Sequence, residues 1–202
     1  MSKANKIFNT GVDDNGVPLP PDSLDPHWKL IQGPGVTTPD VYVLNQVPGS
    51  YFNSGLFAMD SSWVWSDPKG LALVGQPYVF QQRFYLEFDS ANLFAQISVR
   101  WGADNYGHVT VNGSSPASWA GEISLPPGDV YDNYARPHDF SINNHYHAAF
   151  KVGRWNTLEI WVFNAGKQGK DNPSAFNVSG SGIYLVTRPE AIRNQGIPRP
   201  AP

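Results

Sequence analysis

Residues 96–113, QISVRWGADNYGHVTVNG, decide how this chain is read. From just upstream, Leu93, Ala95, Ile97, Val99 and Trp101 alternate with polar or small partners, which is the period of a half-buried strand. Gly102-Ala103-Asp104-Asn105-Tyr106-Gly107 follows with residues that tolerate tight turns and left-handed backbone. Val109 and Val111 then alternate with His108, Thr110 and Asn112, and Asn112-Gly113 closes the stretch with a strong turn signal. The spacing predicts a strand, a corner and a second strand in the middle of the chain.

The same pattern extends outward. Tyr78, Phe80, Phe84, Leu86 and Phe88 share a face broken only by Gln82, opposite Val79, Gln81, Arg83, Tyr85, Glu87 and Asp89. One face meets a core and the other meets water, as in an antiparallel sheet. Thr157 to Asn164 repeats this, with Leu158, Ile160 and Val162 against Glu159, Trp161 and Phe163. Ile7–Gly11, Val41–Leu44, the Trp63-Val64-Trp65 run, His145–Phe150 and Ile183–Thr187 are expected as further strands. Trp28 is expected in the core or as a lid. Gly33-Pro34-Gly35 and Gly180-Ser181-Gly182 are read as turns. Residues 114–144, with Pro116, Pro126, Pro127 and Pro137, form a long irregular region of the kind that carries function or an interface.

Composition agrees. The 202 residues are 41% hydrophobic, 15% charged and 13% aromatic, with 19 Gly and 18 Pro, a balance that suits many short strands joined by turns. One domain over 1–187 can bury a sizeable core, and 188–202 is an extended Pro-rich arm. The formal net charge is −3 and no basic run stands out, which argues against a nucleic-acid partner. There is no cysteine, so disulfides, thiolate metal sites and cysteine nucleophiles are excluded. MSKANKIF lacks the apolar region of a classical signal peptide, and no window has the length of a membrane span.

The string RWGADNYGHVTVNG resembles the corner of galactose-binding-domain-like jelly rolls. Ile7–Asp13 with Asp25–Leu30 looks like the opening of β-sandwich modules found in bacterial and phage surface proteins. Gly153-Arg154-Trp155-Asn156-Thr157-Leu158 resembles the turn that begins a late strand in them. The resemblance spans roughly residues 7–187 and implies an all-β, antiparallel jelly-roll sandwich. Such modules often bind sugars, and many are architectural.

The chemistry of catalysis is hard to find. No Gly-x-Ser-x-Gly elbow and no phosphate loop occurs. Glu87, Glu122 and Glu159 are carboxylates that nothing in the sequence pairs across a cleft. Asp13-Asp14-Asn15-Gly16 has the opening of a calcium loop without its later bidentate glutamate, which favours a plain turn over a structural calcium site. His145 and His147 share a strand face with His138 nearby, but a pair of surface histidines is the simpler reading than a metal site. The expectation is no enzyme and no cofactor.

The aromatics and the arm remain. Trp119, Tyr131 and Tyr134 lie in the long irregular region, and rings in loops suit a ligand or an interface. Arg136, Asp104, Asn105 and Tyr106 are candidates to bond sugar hydroxyls beside them. Trp63, Trp65 and Trp161 are expected to pack as a second small core. Arg188, Ile192, Arg193, Ile197 and Arg199 are expected to fix the arm against a neighbour. The functional expectation is a non-enzymatic structural or adhesive subunit of a surface assembly, such as a head-decoration or tail component of a phage virion. Its partners would be further copies, capsid or tail proteins, and a cell-surface glycan, with no membrane insertion. It would act on a virion or at an extracellular surface. The alternative is a carbohydrate-binding module, free-standing or from a larger secreted enzyme.

Overall fold

The computed structural model describes residues 6–51, 60–86, 93–113, 134–135, 137–143, 150–151, 153–165 and 173–187. Among these there is no helix. The strands are β1 (Lys29–Gln32), β2 (Tyr42–Val43), β3 (Val64–Trp65), β4 (Pro77–Leu86), β5 (Leu93–Asp104), β6 (Tyr106–Val111), β7 (His138–Asn143), β8 (Arg154–Phe163) and β9 (Ala175–Thr187). They form two sheets, a four-stranded one in the order β1-β4-β8-β6 and a five-stranded one in the order β2-β3-β9-β5-β7. Every pairing is antiparallel.

The alternation in β4 and β8 is what joins the sheets. Phe80 and Phe84 of β4 and Leu158, Ile160 and Val162 of β8 are buried, and they meet Ile97, Trp101, Phe176 and Val178 of the other sheet in one core. Phe80 lies 4.4 Å from Phe176 and 5.0 Å from Trp65 between ring centres, and Trp28 meets Phe176 edge-on at 5.4 Å. Each such large side chain withdrawn from water contributes roughly 1.5–3 kcal/mol. Trp63 and Trp65 belong to this same core. The expected second small core is therefore corrected, and Trp161 stands on the opposite, outward side of β8.

The central corner is tighter than the sequence suggests. Instead of turning over 102–107, β5 runs on to Asp104, and Asn105 alone carries the chain from the five-stranded sheet into β6 of the four-stranded one. The Asp104–Asn105 peptide is cis. Asn105 donates its backbone N–H to Phe163 O at 3.1 Å, and its side-chain oxygen accepts from Ala165 N at 2.7 Å. Ser174 donates its hydroxyl to the Asp104 carbonyl. Asn112 and Gly113, with φ of 53° and 74°, adopt the left-handed backbone that their turn signal demands.

Four other expectations change. Residues 7–11 are not a strand. Phe8 is gripped by the Gln82 side chain, which accepts its N–H at 2.6 Å and donates to its carbonyl at 3.1 Å. Gly11 N donates to Asp25 at 2.6 Å, and Thr10 makes single backbone bonds to Val178 and Ser62, so side chains and isolated backbone bonds replace a ladder here. This explains the polar break in the apolar face of β4. Lys29–Gln32, too short to show a period, is strand β1. β7 emerges inside the region read as irregular, where Arg100 of β5 pairs with Asp139 at 2.7 Å, while residues 144–149 lie outside the described ones. β9 begins at Ala175 and passes through Gly180-Ser181-Gly182, which is a register break opposite Ser98–Arg100 and not a turn.

Candidate functional site

The outward face of the four-stranded sheet gathers side chains that a purely scaffolding surface does not need. Period-2 geometry puts Trp155, Thr157, Glu159, Trp161 and Phe163 of β8 on that side. Register sets their neighbours. Phe163 is opposite Tyr106, Trp161 opposite His108 and Val79, Glu159 opposite Thr110 and Gln81, Thr157 opposite Arg83, and Trp155 opposite Tyr85. Gln81 is in turn opposite Lys29.

Three zones result. At one end, Tyr106 stacks on Phe163 with ring centres 5.0 Å apart and planes 6° from parallel, and His108 stacks on Trp161 at 5.3 Å and 13°. In the middle, the Glu159 carboxylate accepts from Gln81 Nε2 and from Thr110 Oγ1, both at 3.0 Å. This fixes an acceptor at the centre of a polar band. At the far end, Trp155 is 46% exposed, Tyr85 meets it edge-on at 5.5 Å, and the Arg83 guanidinium lies 5.1 Å from its ring centre. Trp155 and Trp161 are six positions apart on one strand, or about 20 Å.

A concavity of about 340 Å³ opens beside Trp155, lined also by Phe8, Pro26, His27, Lys29, Gln81, Gln82 and Arg83. His27 stacks on Phe8 at 3.5 Å, and its Nε2 lies 3.7 Å from the exposed Asp14 carboxylate. A larger cavity of about 640 Å³ lies among Leu30, Val36, Leu71, Leu73 and Tyr78. Its one charged lining residue, Asp67, is already occupied by the N–H groups of Lys69 and Leu71 at 2.8 and 3.0 Å. Its other polar lining residues are Thr37, Thr38, Ser66 and Tyr78, and the Tyr78 hydroxyl accepts the N–H of Leu73 at 3.0 Å.

Of the residues expected to bind ligand, Asp104, Asn105, Tyr106 and Tyr134 are described, and they divide between the outward face and the corner. Tyr106 lies on the outward face, in the stacked zone. Asp104 is only 5% exposed and receives the Tyr51 hydroxyl at 2.5 Å, and Tyr51 packs on Trp63 and Tyr134. Burial pushes the Asp104 carboxyl up to about 6 against the opposing pull of the Tyr51 hydrogen bond, and burial beside Asp104 pushes the Tyr51 hydroxyl far above its ordinary range. Asp104, Asn105 and Tyr134 thus secure the corner. Trp119, Tyr131, Arg136, His145, His147, Glu87, Glu122 and the arm residues Arg188, Ile192, Arg193, Ile197 and Arg199 lie outside the described residues. The Asp13 carboxylate accepts the N–H groups of Asn15 and Val17 at 2.9 and 2.8 Å, the geometry of a turn held by its own backbone. No cluster of three metal-ligating side chains occurs among the described residues.

The sequence reading missed Trp155, Arg83, Lys29, Gln81 and His27 as site residues. Alternation continued two positions upstream of Thr157 would have put Trp155 on the face of Trp161. The pairing that brings Lys29 and Arg83 beside it is a matter of register between distant strands.

No protein-family model matches the chain, and neither does any curated protein. Among solved structures, the enzymatically active domain of tailspike protein 4 of bacteriophage CBA120 is similar at a TM-score of 0.42 and 13% identity over 80% of this chain. A β-glucosidase from Kluyveromyces marxianus is similar at a TM-score of 0.32 and 9% identity over 82% of it. The chain spans 20% of the length of each. Likeness at this level brings no function with it.

Proposed function

We propose that this chain is a non-enzymatic, adhesive β-sandwich of the galactose-binding-like jelly-roll kind, which binds an extended glycan across the outward face of its four-stranded sheet. One observation carries this reading: two aromatic zones, around Trp161 and Trp155, flank a hydrogen-bonded polar band on a single sheet face. Sugar rings present apolar C–H faces that rest on aromatic surfaces, while their hydroxyls need fixed donors and acceptors. The face offers both, in that order, over a length of about 20 Å. The Glu159 carboxylate, held by Gln81 and Thr110, is positioned to accept from hydroxyls, and with no second carboxylate opposite it among the described residues it is assigned binding, not hydrolysis.

Binding to a broad glycan array, followed by titration of the best hit, tests this. The Trp155→Ala and Trp161→Ala variants should each weaken binding by tenfold or more while the hit remains chemically intact on incubation. Unchanged binding in both variants, or cleavage of the hit, would contradict the proposal.

A further inference from the structure

The concavity beside Trp155 has a charge of its own. Lys29 and Arg83 are both exposed there, flank Gln81 on the same face, and make no ion pair among the described residues. His27, two positions before Lys29, lines the same space. Lys6 adds a further positive charge, its Nζ lying 4.2 Å from the centre of the Phe8 ring. Among the described residues three carboxylates stand near, and one of them, Asp25, is buried and accepts the N–H groups of Gly11, His27 and Trp28. Asp14 faces His27, and Glu159 accepts from Gln81 and Thr110. Among the described residues no carboxylate lines the concavity itself.

Arg83 is the most telling of these groups. Its guanidinium carbon lies over the Trp155 ring, 5.1 Å from the ring centre, which places the cation beside the exposed indole. A guanidinium is a planar fork that matches a carboxylate or sulfate in two-point fashion. Lys29 provides a mobile point charge on the other side of Gln81. An exposed indole beside a pre-set guanidinium and an ammonium, in a space of about 340 Å³, fits one sugar residue bearing an anionic group.

We infer that the Trp155 end of the face is an anion-selective subsite, so that the glycan recognised is acidic, with a carboxylate or sulfate received by Arg83 and Lys29. This rests on the glycan-binding reading above and adds the chemical class of the ligand. A neutral glycan would leave two cations at the subsite without partners. An acidic one also gains charge-assisted hydrogen bonds, which salt weakens.

The test is an array of matched pairs, each backbone present with and without its carboxylate or sulfate, probed at low and high sodium chloride. The wild type should bind the acidic member of a recognised pair about tenfold or more tightly, with the advantage shrinking in high salt. The double variant Lys29→Gln/Arg83→Gln should bind both members equally, at the level of the neutral one. Both positions are exposed, so its fold should survive, which its melting temperature checks. Equal binding of both members by the wild type, or a preference that persists in the double variant, overturns the subsite while leaving the glycan-binding face standing. Binding to neither member of any pair removes both.

Discussion

Asp104 shows how one residue of the sequence motif is built into the corner. Its carboxyl is buried, one oxygen takes the Tyr51 hydroxyl, and desolvation raises it from 3.8 to about 6. The unfolded chain gives up this proton near pH 4, whereas the folded chain keeps it to about pH 6. Between these values the folded state binds more protons, so stability from this group is full at low pH and is lost as pH rises through the window. The ceiling of the effect is about 3 kcal/mol. Asp25, also raised by burial despite three backbone N–H bonds, acts in the same direction, so the comparison must be with a variant. Urea unfolding from pH 4 to 7 should show the wild type losing more stability than Asp104→Asn, whose side chain stays neutral throughout. Parallel profiles would show that Asp104 is ionised in the fold. The sequence read Asp104 both as part of the corner and as a candidate to bond sugar hydroxyls, and the structure buries it at the end of β5. The sequence did not show Tyr51, 53 positions away, as the partner.

At the scale of elements, the platform depends on how closely β6 approaches β8. Gly107 is the reason they fit. A Cβ built there would lie 1.9 Å from the carbonyl oxygen of Trp161, a backbone atom that cannot step aside. Gly107→Ala should therefore cost about 1–3 kcal/mol or more, read from denaturant unfolding, and should spoil the stacking of His108 on Trp161. An unchanged midpoint would mean that the two strands lie farther apart than described. The long strands β4 and β8 were legible because burial on one side writes period 2 into ten residues each. The short or laterally held pieces were not. β1 spans four residues, β7 follows a proline, and residues 7–11 are held by Gln82 and Asp25 side chains, none of which leaves an alternation to read.

For the whole molecule, the all-β architecture with two antiparallel sheets followed from composition and alternation, because turns and aromatic strands leave few other ways to bury rings such as Trp28, Trp63, Trp65 and Trp101. The candidate site did not follow, since it exists only once β1, β4, β8 and β6 are laid side by side. The assembly reading of Trp119, Tyr131 and the arm rests on residues outside the described ones. The claim that unites the molecule is that one sheet faces a glycan while its other side closes the core. The most direct measurement is a ¹H–¹⁵N NMR titration of the full chain with its best array hit. The account predicts that the largest shift changes fall on Tyr106–Thr110, Gln81–Tyr85 and Trp155–Phe163, together with the indole N–H signals of Trp155 and Trp161. Shift changes confined to β5, β7 and β9, or to the larger cavity around Leu71 and Leu73, would contradict it.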